Sequence, residues 1–470
     1  MIVSIMAMTN DRLSVTSDSV KSLEVAIEAF PDDLQACGLN LGDLDLTDAG
    51  YAEEIVILDK EGDICQATTI EWTSRTKHVF VLTEAGKPVY SRHGDEENLV
   101  TLFGVMQAMV SFVEDSGDVL QCIKAGDTSI VFLHKSPLIL CCSSKDNHSY
   151  DQIMLLLNYV FDQIISVTTA SRLYKAFDQR SNFDPRNLLA GSERLLDSLV
   201  EYCESSFDVM LQSVKCLPLM SVDRDCITQT IVQCCSKVEN LVFAVLIAKG
   251  ELVTLVRLQK TVFHPADLHL VLNLVNSTES FKGIEGWTPI CLPHFDQSGY
   301  LHAYVSYLAE DCQACLVLFT VNRDSFYVLS EVKQRITEKL RRHNLFECIN
   351  SSMSSGGFLV CQTGVAELRH FIYNSKFNAQ YTTPFPGPPY PKQRLLQLYM
   401  QIQKHARNRI VCMSTSTEVV LGLFTPAYDL YAVFEPMTTK AVLAAAIPTI
   451  TKFVKREEDW LFIANAATFS

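Results

Sequence analysis

Residues 77–94 read KHVFVLTEAGKPVYSRHG, and the order of structure that begins here is repeated along the chain. The stretch contains two short strands, predicted at His78–Thr83 and Pro88–Arg92, which are rich in Val, Phe and Tyr. The Glu-Ala-Gly-Lys turn between them includes Gly86, and glycine takes the positive φ that such a turn usually requires. The stretch therefore predicts an antiparallel hairpin.

A strongly apolar helix follows this hairpin at once. It starts at the acidic run Asp95–Glu97, and no further charge occurs until Glu114. At ~100° per residue, about a third of its circumference is polar or small, at Thr101, Gly104, Gln107 and Ser111. A helix that covers only its own sheet normally shows a charged face to solvent. Two interpretations of Leu99–Val113 stay open: burial beneath another domain of this chain, or an interface with another protein.

The composition indicates which classes of protein the chain can belong to. The chain has 470 residues, 48% of them hydrophobic and 20% charged, which predicts two to four folded domains. The formal net charge of −15 argues against general nucleic-acid binding, because phosphate contacts need a basic surface. No apolar run reaches the roughly 18 residues of a membrane span. The first residues lack the basic n-region of a secretory signal, so none is expected.

The cysteines indicate a reducing compartment. There are 16 of them, and they sit inside apolar runs, as at Cys141-Cys142 and Cys234-Cys235, where cysteine acts as a small buried hydrophobe. The one CxxC, Cys312–Cys315, leads into a strand and has no second ligand pair at zinc spacing, so we interpret it as a reduced structural pair.

Residues 1–75 differ from the rest. No Lys or Arg occurs between Lys21 and Lys60, while acidic residues accumulate. We expect a mostly disordered acidic arm, with a short ordered piece around Glu54–Leu58.

The order β-β-α-β-β-β-α is predicted three times. The first hairpin is followed by strands at Val119–Lys124, Thr128–His134 and Leu138–Cys142 and by a long helix at Tyr150–Phe177. A second hairpin is predicted at Leu241–Ala248 with Leu252–Leu258, and a third at Phe358–Gln362 with Leu368–Tyr373. Hairpin glycines are expected at Gly86, Gly250 and Gly364, whose unequal spacing indicates a triplicated domain and not a solenoid.

The predicted domains follow from this order. Linkers are expected around Leu217-Pro218 and at Ser351–Gly357, which bound three domains at 76–215, 226–345 and 356–470. The predicted fold class is α+β, an α-β sandwich in which each domain is a five-stranded antiparallel sheet flanked by helices. The order is similar to the longin-like fold.

Motifs for covalent chemistry are absent from the sequence. It contains no GxxxxGK[ST], no GxGxxG after a strand, no GxSxG and no HExxH. We therefore expect no catalytic residue, metal or cofactor, and the functional features to be surfaces.

A basic cluster is the second candidate surface, with members at Lys333, Arg335, Lys339, Arg341 and Arg342. On an acidic chain it is a candidate patch for anionic lipid. Glu331 and Glu338 lie among the basic residues, so a solvated helix face with i,i+4 ion pairs is the favoured interpretation.

The sequence resembles the Mon/SAND family of vacuolar and endosomal fusion proteins. The resemblance is carried by KHVFVLTEAGKPVYSRHGDEENLVTLFGVMQAMVSF, by GDTSIVFLHKSPLILCCSS and by LFTPAYDLYAVFEP, and it runs from about Trp72 to the end. It implies three longin domains, in agreement with the threefold order.

The resemblance also implies a function and partners. Family members pair with a Ccz-type longin subunit to form a guanine nucleotide exchange factor for the late-endosomal Rab GTPase, which promotes endosome maturation and vacuole or lysosome fusion. It further implies recruitment by the early-endosomal Rab and by phosphoinositides, a third regulatory subunit in animals, and a cytoplasmic protein recruited peripherally to endosomal and lysosomal membranes.

The same resemblance places the first hairpin and the following helix at a shared GTPase and partner interface. The expected contact residues are Ser91, Arg92, His93, Gly94, Asp95, Thr101, Phe103, Met106, Gln107 and Val110. The alternative is a non-catalytic longin-type adaptor or tether that binds Rab GTPases or trafficking proteins at endosomal membranes.

Overall fold

Three mainly antiparallel sheets, each covered by helices, organise the chain. The computed structural model describes residues 75–93, 99–146, 148–180, 183–278, 281, 283–310, 312–385, 387, 390–407, 409–464 and 466–469. The acidic arm expected at 1–75, apart from its last residue, lies outside the described residues, and so do the interface residues Gly94 and Asp95.

Unit 1 is the sheet around the first hairpin. Its elements are β1 (Lys77–Thr83), β2 (Pro88–Ser91), α1 (Val100–Asp115), β3 (Cys122–Ala125), β4 (Thr128–Lys135), β5 (Leu138–Ser144) and α2 (Tyr150–Thr168). The strands lie in the order β2-β1-β5-β4-β3. Helices that follow are α3 (Ala170–Gln179), α4 (Arg186–Leu189), α5 (Glu193–Ser205) and α6 (Phe207–Leu211).

Alternation along β1 explains why its central residues, Val79–Leu82, are all apolar. Phe80 and Leu82 pack in the core beneath α1, whereas Val79 and Val81 pack in the core beneath α2 and α5. A strand buried on both faces has no solvent-facing positions, so its sequence is a continuous apolar run.

Unit 2 repeats the order. It begins after the short strand β6 (Val214–Lys215) and helix α7 (Ser221–Cys235), and its elements are β7 (Leu241–Ala248), β8 (Glu251–Arg257), α8 (Pro265–Ser277), β9 (Gly286–Leu292), β10 (Asp296–Ala309), β11 (Cys312–Thr320) and α9 (Phe326–Arg342). Helix α10 (Leu345–Ser355) follows. Every residue of β7 is buried, for the reason that applies to β1.

Unit 3 contains β12 (Leu368–Ser375), β13 (Gln380–Thr382), α11 (Lys392–Gln403), β14 (Ile410–Ser414), β15 (Val419–Phe424), β16 (Tyr428–Phe434) and α12 (Lys440–Arg456), followed by α13 (Glu458–Leu461) and β17 (Ala467–Thr468). The fold-class prediction of three five-stranded antiparallel units with helices on the faces is confirmed.

Units 2 and 3 each carry one strand more than predicted. The sheet orders are β17-β8-β7-β11-β10-β9 and β14-β15-β16-β12-β13-β6. Both added strands are short and parallel to their neighbours: β17 pairs with β8, and β6 pairs with β13. Unit 1 gains no such strand among the described residues, so β2 is the edge of its sheet.

The predicted hairpin of unit 3 was wrong. Residues Val360–Thr363 form a 3₁₀ turn that ends at Gly364, whose φ is 78°. The hairpin pairs β12 with β13 instead, with Tyr373 opposite Thr382. Strand β13 could not be predicted from its sequence, because three residues are too few to show a period.

The structure differs from the prediction in three further helical segments. The helix expected at Tyr150–Phe177 is broken at Thr169, which has a φ of 61°, and α2 and α3 meet at a bend of 80°. Helix α7 was not predicted, although Ile227 and Ile231 bury one side of it against unit 2. Most of the linker expected at Ser351–Gly357 belongs to α10.

Within the described residues, no single helix combines the length and apolarity of a membrane span; only the bent pair α2 and α3 does so jointly. Much of α2 is buried inside the protein, including Leu157, Val160 and Ile164.

Candidate functional site

Helix α1 is fixed at both ends by short-range contacts. Its first turn begins after Leu99, whose carbonyl accepts the Phe103 N–H at 3.0 Å. At the other end, the Ser116 hydroxyl donates to the Val113 carbonyl at 2.7 Å. Gly117 follows with a φ of 80°, the left-handed conformation that commonly ends a helix.

The inner face of α1 packs on its own sheet. Phe103, Met106 and Val110 are buried there, and the Phe103 ring meets Phe80 edge-on with centroids 5.7 Å apart. These three members of the expected interface therefore belong to the core of unit 1, and their side chains do not form a surface that a partner could contact.

The outer face of α1 consists of Thr101, Gly104, Val105 and Ala108, all exposed. Val100, at the helix start, is 53% exposed and Val105 is 37% exposed. The described part of the chain leaves this face open to solvent, so the interpretation that another domain of the chain buries it does not hold for the described residues. Helical spacing points to these positions once 103, 106 and 110 are known to face inward.

Gln107 connects α1 to the first hairpin. Its amide donates to the Ser111 hydroxyl at 2.9 Å. A Cβ placed on Gly86 would lie 3.2 Å from the Gln107 Cβ and Cγ, and Gly86 itself has a φ of 77°. The turn therefore approaches the helix closely because residue 86 has no side chain.

The end of β2 is held by polar contacts. The Ser91 hydroxyl donates to the His93 carbonyl at 2.6 Å. Arg92 donates to Glu204 at 2.6 Å, and the Lys77 ammonium lies 3.3 Å from the same carboxylate. Arg92 therefore anchors β2 to α5 and is only partly available to a partner.

Burial and neighbouring charges together set the pKa values of Glu204 and His93 at this junction. Burial raises the pKa of Glu204, but the cations Lys77 and Arg92 outweigh it, so the pKa lies below its usual value. Burial, and then the neighbouring Arg92, lower the pKa of His93. The junction therefore holds an ionised carboxylate and a histidine whose charged form is disfavoured.

The basic cluster lies on α9 and divides into two kinds of residue. Lys333 pairs with Glu285 at 3.3 Å, and Lys339 donates to the Gln233 side chain at 3.4 Å. Arg335, Arg341 and Arg342 are exposed. Arg341 also stacks 6.0 Å above the Phe346 ring. Exposed basic residues in a last helical turn also complement the helix dipole, so the geometry is compatible with a solvated face and with lipid contact.

The sequence did not reveal a cleft of about 480 Å³ between units 1 and 3. Its walls come from α2, α5, α11 and the segments around β1 and β2. No local pattern predicts it, because the lining residues come from distant segments.

Comparison with protein families matches all three units. The matching family models are described as the first, second and third Longin domains of FUZ, MON1 and HPS1, at residues 77–199, 239–338 and 367–458. These ranges coincide with the core of units 1, 2 and 3.

Curated relatives match most of the chain. The vacuolar fusion protein MON1 homolog A of Gallus gallus is 38% identical over 91% of this chain and 79% of its own length. The protein SAND of Takifugu rubripes is 40% identical over 85% of this chain and 78% of its own length. The vacuolar fusion protein MON1 of Yarrowia lipolytica is 30% identical over 92% of this chain and 81% of its own length. With its three longin domains, the chain thus belongs to the MON1/SAND family of vacuolar fusion proteins.

Proposed function

We propose that the chain is one subunit of a heteromeric guanine nucleotide exchange factor that activates the late-endosomal Rab GTPase. Through this activity it promotes early-to-late endosome maturation and fusion with vacuoles or lysosomes. The proposal draws on the family membership, because the relatives are named as vacuolar fusion proteins. Its main structural support is the exposed outer face of α1, at Thr101, Gly104, Val105 and Ala108.

Small side chains suit this face to close contact. Gly104 and Ala108 are one helical turn apart, so a second backbone can approach the helix there. Val100 and Val105 supply apolar area beside them. The proposed occupants are the first longin domain of a Ccz-type subunit and the switch region of the GTPase.

Exchange of this kind requires no acid, base or nucleophile. The factor binds the nucleotide-free GTPase more tightly than the nucleotide-bound form, and this differential affinity shifts the equilibrium towards release. Reshaping a switch segment removes contacts to phosphate and Mg²⁺. Ser91 and His93 lie at the end of β2, close in sequence to α1, and would contribute polar contacts beside the apolar face.

The test is release of labelled GDP from the late-endosomal Rab by the chain purified with its partner subunit. In Val105→Glu/Ala108→Glu, two carboxylates would be buried in an apolar contact, which is costly. We expect exchange to fall by about tenfold or more, which corresponds to about 1.4 kcal/mol.

The matched control is Val222→Glu/Ala444→Glu, which places the same charges at exposed positions of α7 and α12. It should exchange normally. Complex formation is measured in parallel, since loss of the partner would also abolish exchange. A double variant that forms the complex and exchanges at the wild-type rate would remove α1 from the site. Tighter binding of the GTP-loaded Rab without accelerated release would instead favour the adaptor or tether.

Recruitment completes the proposal. The early-endosomal Rab and a third regulatory subunit are proposed partners, and the exposed arginines of α9 are proposed to contact phosphoinositides. The chain would then act peripherally at the surface of endosomes and lysosomes.

A further inference from the structure

Strand β14 forms one edge of the unit 3 sheet, and it lacks the features that usually protect an edge strand. Natural sheet edges are kept from further pairing by prolines, by charged residues or by being very short. Pro88 lies in β2, Pro289 in β9 and Lys124 in β3, while β6 and β17 have two residues each. Among the sheet edges of the described residues, β14 alone has five residues with neither proline nor charge.

The backbone of β14 presents hydrogen-bonding groups on its open side. The Phe424 N–H donates to the Arg409 carbonyl at 2.8 Å, which makes these two residues a bonded pair of the ladder. Such pairs recur at every second residue of an antiparallel ladder, so Val411 and Met413 also bond to β15. The N–H and C=O groups of the alternate residues point away from β15, and no backbone group of the described residues bonds to them. These residues are Ile410, Cys412 and Ser414.

The side chains of β14 leave room for a further strand. Val411 and Met413 are half-buried and pack on the core beneath α11. Ile410, Cys412 and Ser414 are exposed on the other face, and Ile410 is 56% exposed. A strand added at this edge would form backbone hydrogen bonds with β14 and would cover part of Ile410 with its own side chains.

This edge is basic although the chain is acidic. Arg407 and Arg409, just before β14, are exposed, and no carboxylate of the described residues forms an ion pair with either. Partial burial raises the pKa of the Cys412 thiol, and the Lys440 ammonium opposes this shift, which indicates that this cation lies near the strand. On a chain whose formal net charge is −15, this local excess of positive charge attracts an acidic partner.

We propose that β14 binds an extended acidic segment of another protein, which adds to the unit 3 sheet as a further strand. Backbone hydrogen bonds along the open side of β14 would supply affinity, and acidic residues facing Arg409 and Lys440 would supply specificity. A second copy of this chain fits less well, because two β14 strands paired about Cys412 would bring their Lys440 ammonium groups towards each other. The surface goes beyond the proposed exchange activity and does not depend on it.

A library of random dodecapeptides displayed on phage is the probe, and it is selected on the immobilised full chain. We expect the enriched peptides to carry a net negative charge and to contain β-branched residues, which favour extended structure. The affinities of the corresponding synthetic peptides for the chain and its variants are then measured by fluorescence anisotropy.

Cys412→Pro removes an N–H that points away from β15, and proline is tolerated at such edge positions. It should weaken binding of the enriched peptides by about tenfold or more, because the added strand loses a backbone hydrogen bond and meets the proline ring. Cys412→Thr keeps the N–H and is the matched control, so it should bind these peptides as the wild type does.

Arg407→Glu/Arg409→Glu should also weaken binding by about tenfold or more, because like charges would then face each other. Lys175→Glu/Lys237→Glu makes the same change in net charge at exposed positions outside unit 3 and should leave the affinity unchanged. Weaker binding in both edge variants, with normal binding in both controls, supports the proposal. The charge pair tests the same edge if the proline variant does not fold, which far-ultraviolet circular dichroism checks.

Two results would overturn the proposal. The first is a selection that enriches no acidic peptide, or acidic peptides that a folded Cys412→Pro or the charge pair binds as tightly as the wild type does. The second is a dimer of the full chain, detected by light scattering, that Cys412→Pro dissociates, because it would assign the edge to a second copy of this chain.

Discussion

Two separate constraints, one on backbone conformation and one on space, require glycine at position 86 of the first hairpin. Its φ of 77° lies in the left-handed region, and an added Cβ would meet the Gln107 side chain at 3.2 Å. Gly117, with a φ of 80°, shares the first requirement and not the second, since nothing lies within 4 Å of its added Cβ. The two glycines therefore separate backbone strain from steric contact.

We expect Gly86→Ala to lower the melting temperature of the chain more than Gly117→Ala does. Both substitutions carry backbone strain of about 1 kcal/mol or more, and only the first displaces α1. Differential scanning calorimetry measures the difference. Adding Gln107→Ala to Gly86→Ala should recover part of the excess loss, because it removes the Gln107 Cγ and leaves the Cβ, which is also 3.2 Å from the added atom. Equal losses in the two single variants would show that the turn and the helix are not coupled through this contact.

At the scale of elements, burial on both faces decided which predictions succeeded. Strands β1 and β7 are buried along their whole length and were predicted at nearly the observed bounds. Strand β13 has three residues and carries no pattern of its own, and α7 mixes polar residues with its buried isoleucines. For α1, composition revealed an excess of apolar surface, but only the packed helix shows that Phe103, Met106 and Val110 face inward.

The candidate surfaces also differ in how much of each could be predicted from the sequence. The charge of α9 could be predicted from sequence, whereas the division between the paired Lys333 and the exposed Arg342 depends on Glu285, which is 48 residues away from Lys333 in sequence. The cleft could not be predicted, because Lys404 and Arg92 come together only when unit 3 packs against unit 1.

On helix α9, removing and adding positive charge should have opposite effects on binding to anionic vesicles. Arg341→Glu/Arg342→Glu should weaken flotation with phosphoinositide vesicles, since each basic residue near an anionic surface contributes about 1 kcal/mol. Glu331→Lys/Glu338→Lys, at exposed positions of the same helix, should strengthen it. Unchanged flotation in both pairs would assign the basic residues to a solvated face.

At the scale of the molecule, the units are joined through their sheets as well as through helices. Strand β17 pairs with β8 of unit 2 although it follows unit 3, and Phe469 donates its N–H to the Arg257 carbonyl at 2.9 Å. The Phe469 side chain lies in the core of unit 2. The last described residues therefore stabilise a domain that ends more than a hundred residues earlier in the sequence.

We expect Phe469→Ala to lower the melting temperature of the chain, because removing a buried phenylalanine typically costs about 3–5 kcal/mol. Phe377→Ala is the control, since Phe377 is 94% exposed at the turn between β12 and β13. Calorimetry of both variants measures the difference. Equal melting temperatures for the two variants would show that the β17 segment does not stabilise unit 2.

The two added strands also affect the order in which the three sheets can be completed during synthesis. All strands of the unit 1 sheet lie between residues 77 and 144, so this sheet can close while the ribosome is still translating the rest. The unit 3 sheet takes up β6, which is made long before β13. Unit 2 is in the opposite position. Cys216 and Leu217 pair with Leu252 of β8, but the Val256–Arg257 part of the same edge stays open until residues 467–468 have been translated and have left the ribosomal tunnel. Throughout that interval the nascent chain carries an unpaired strand edge, the kind of surface that chaperones shield.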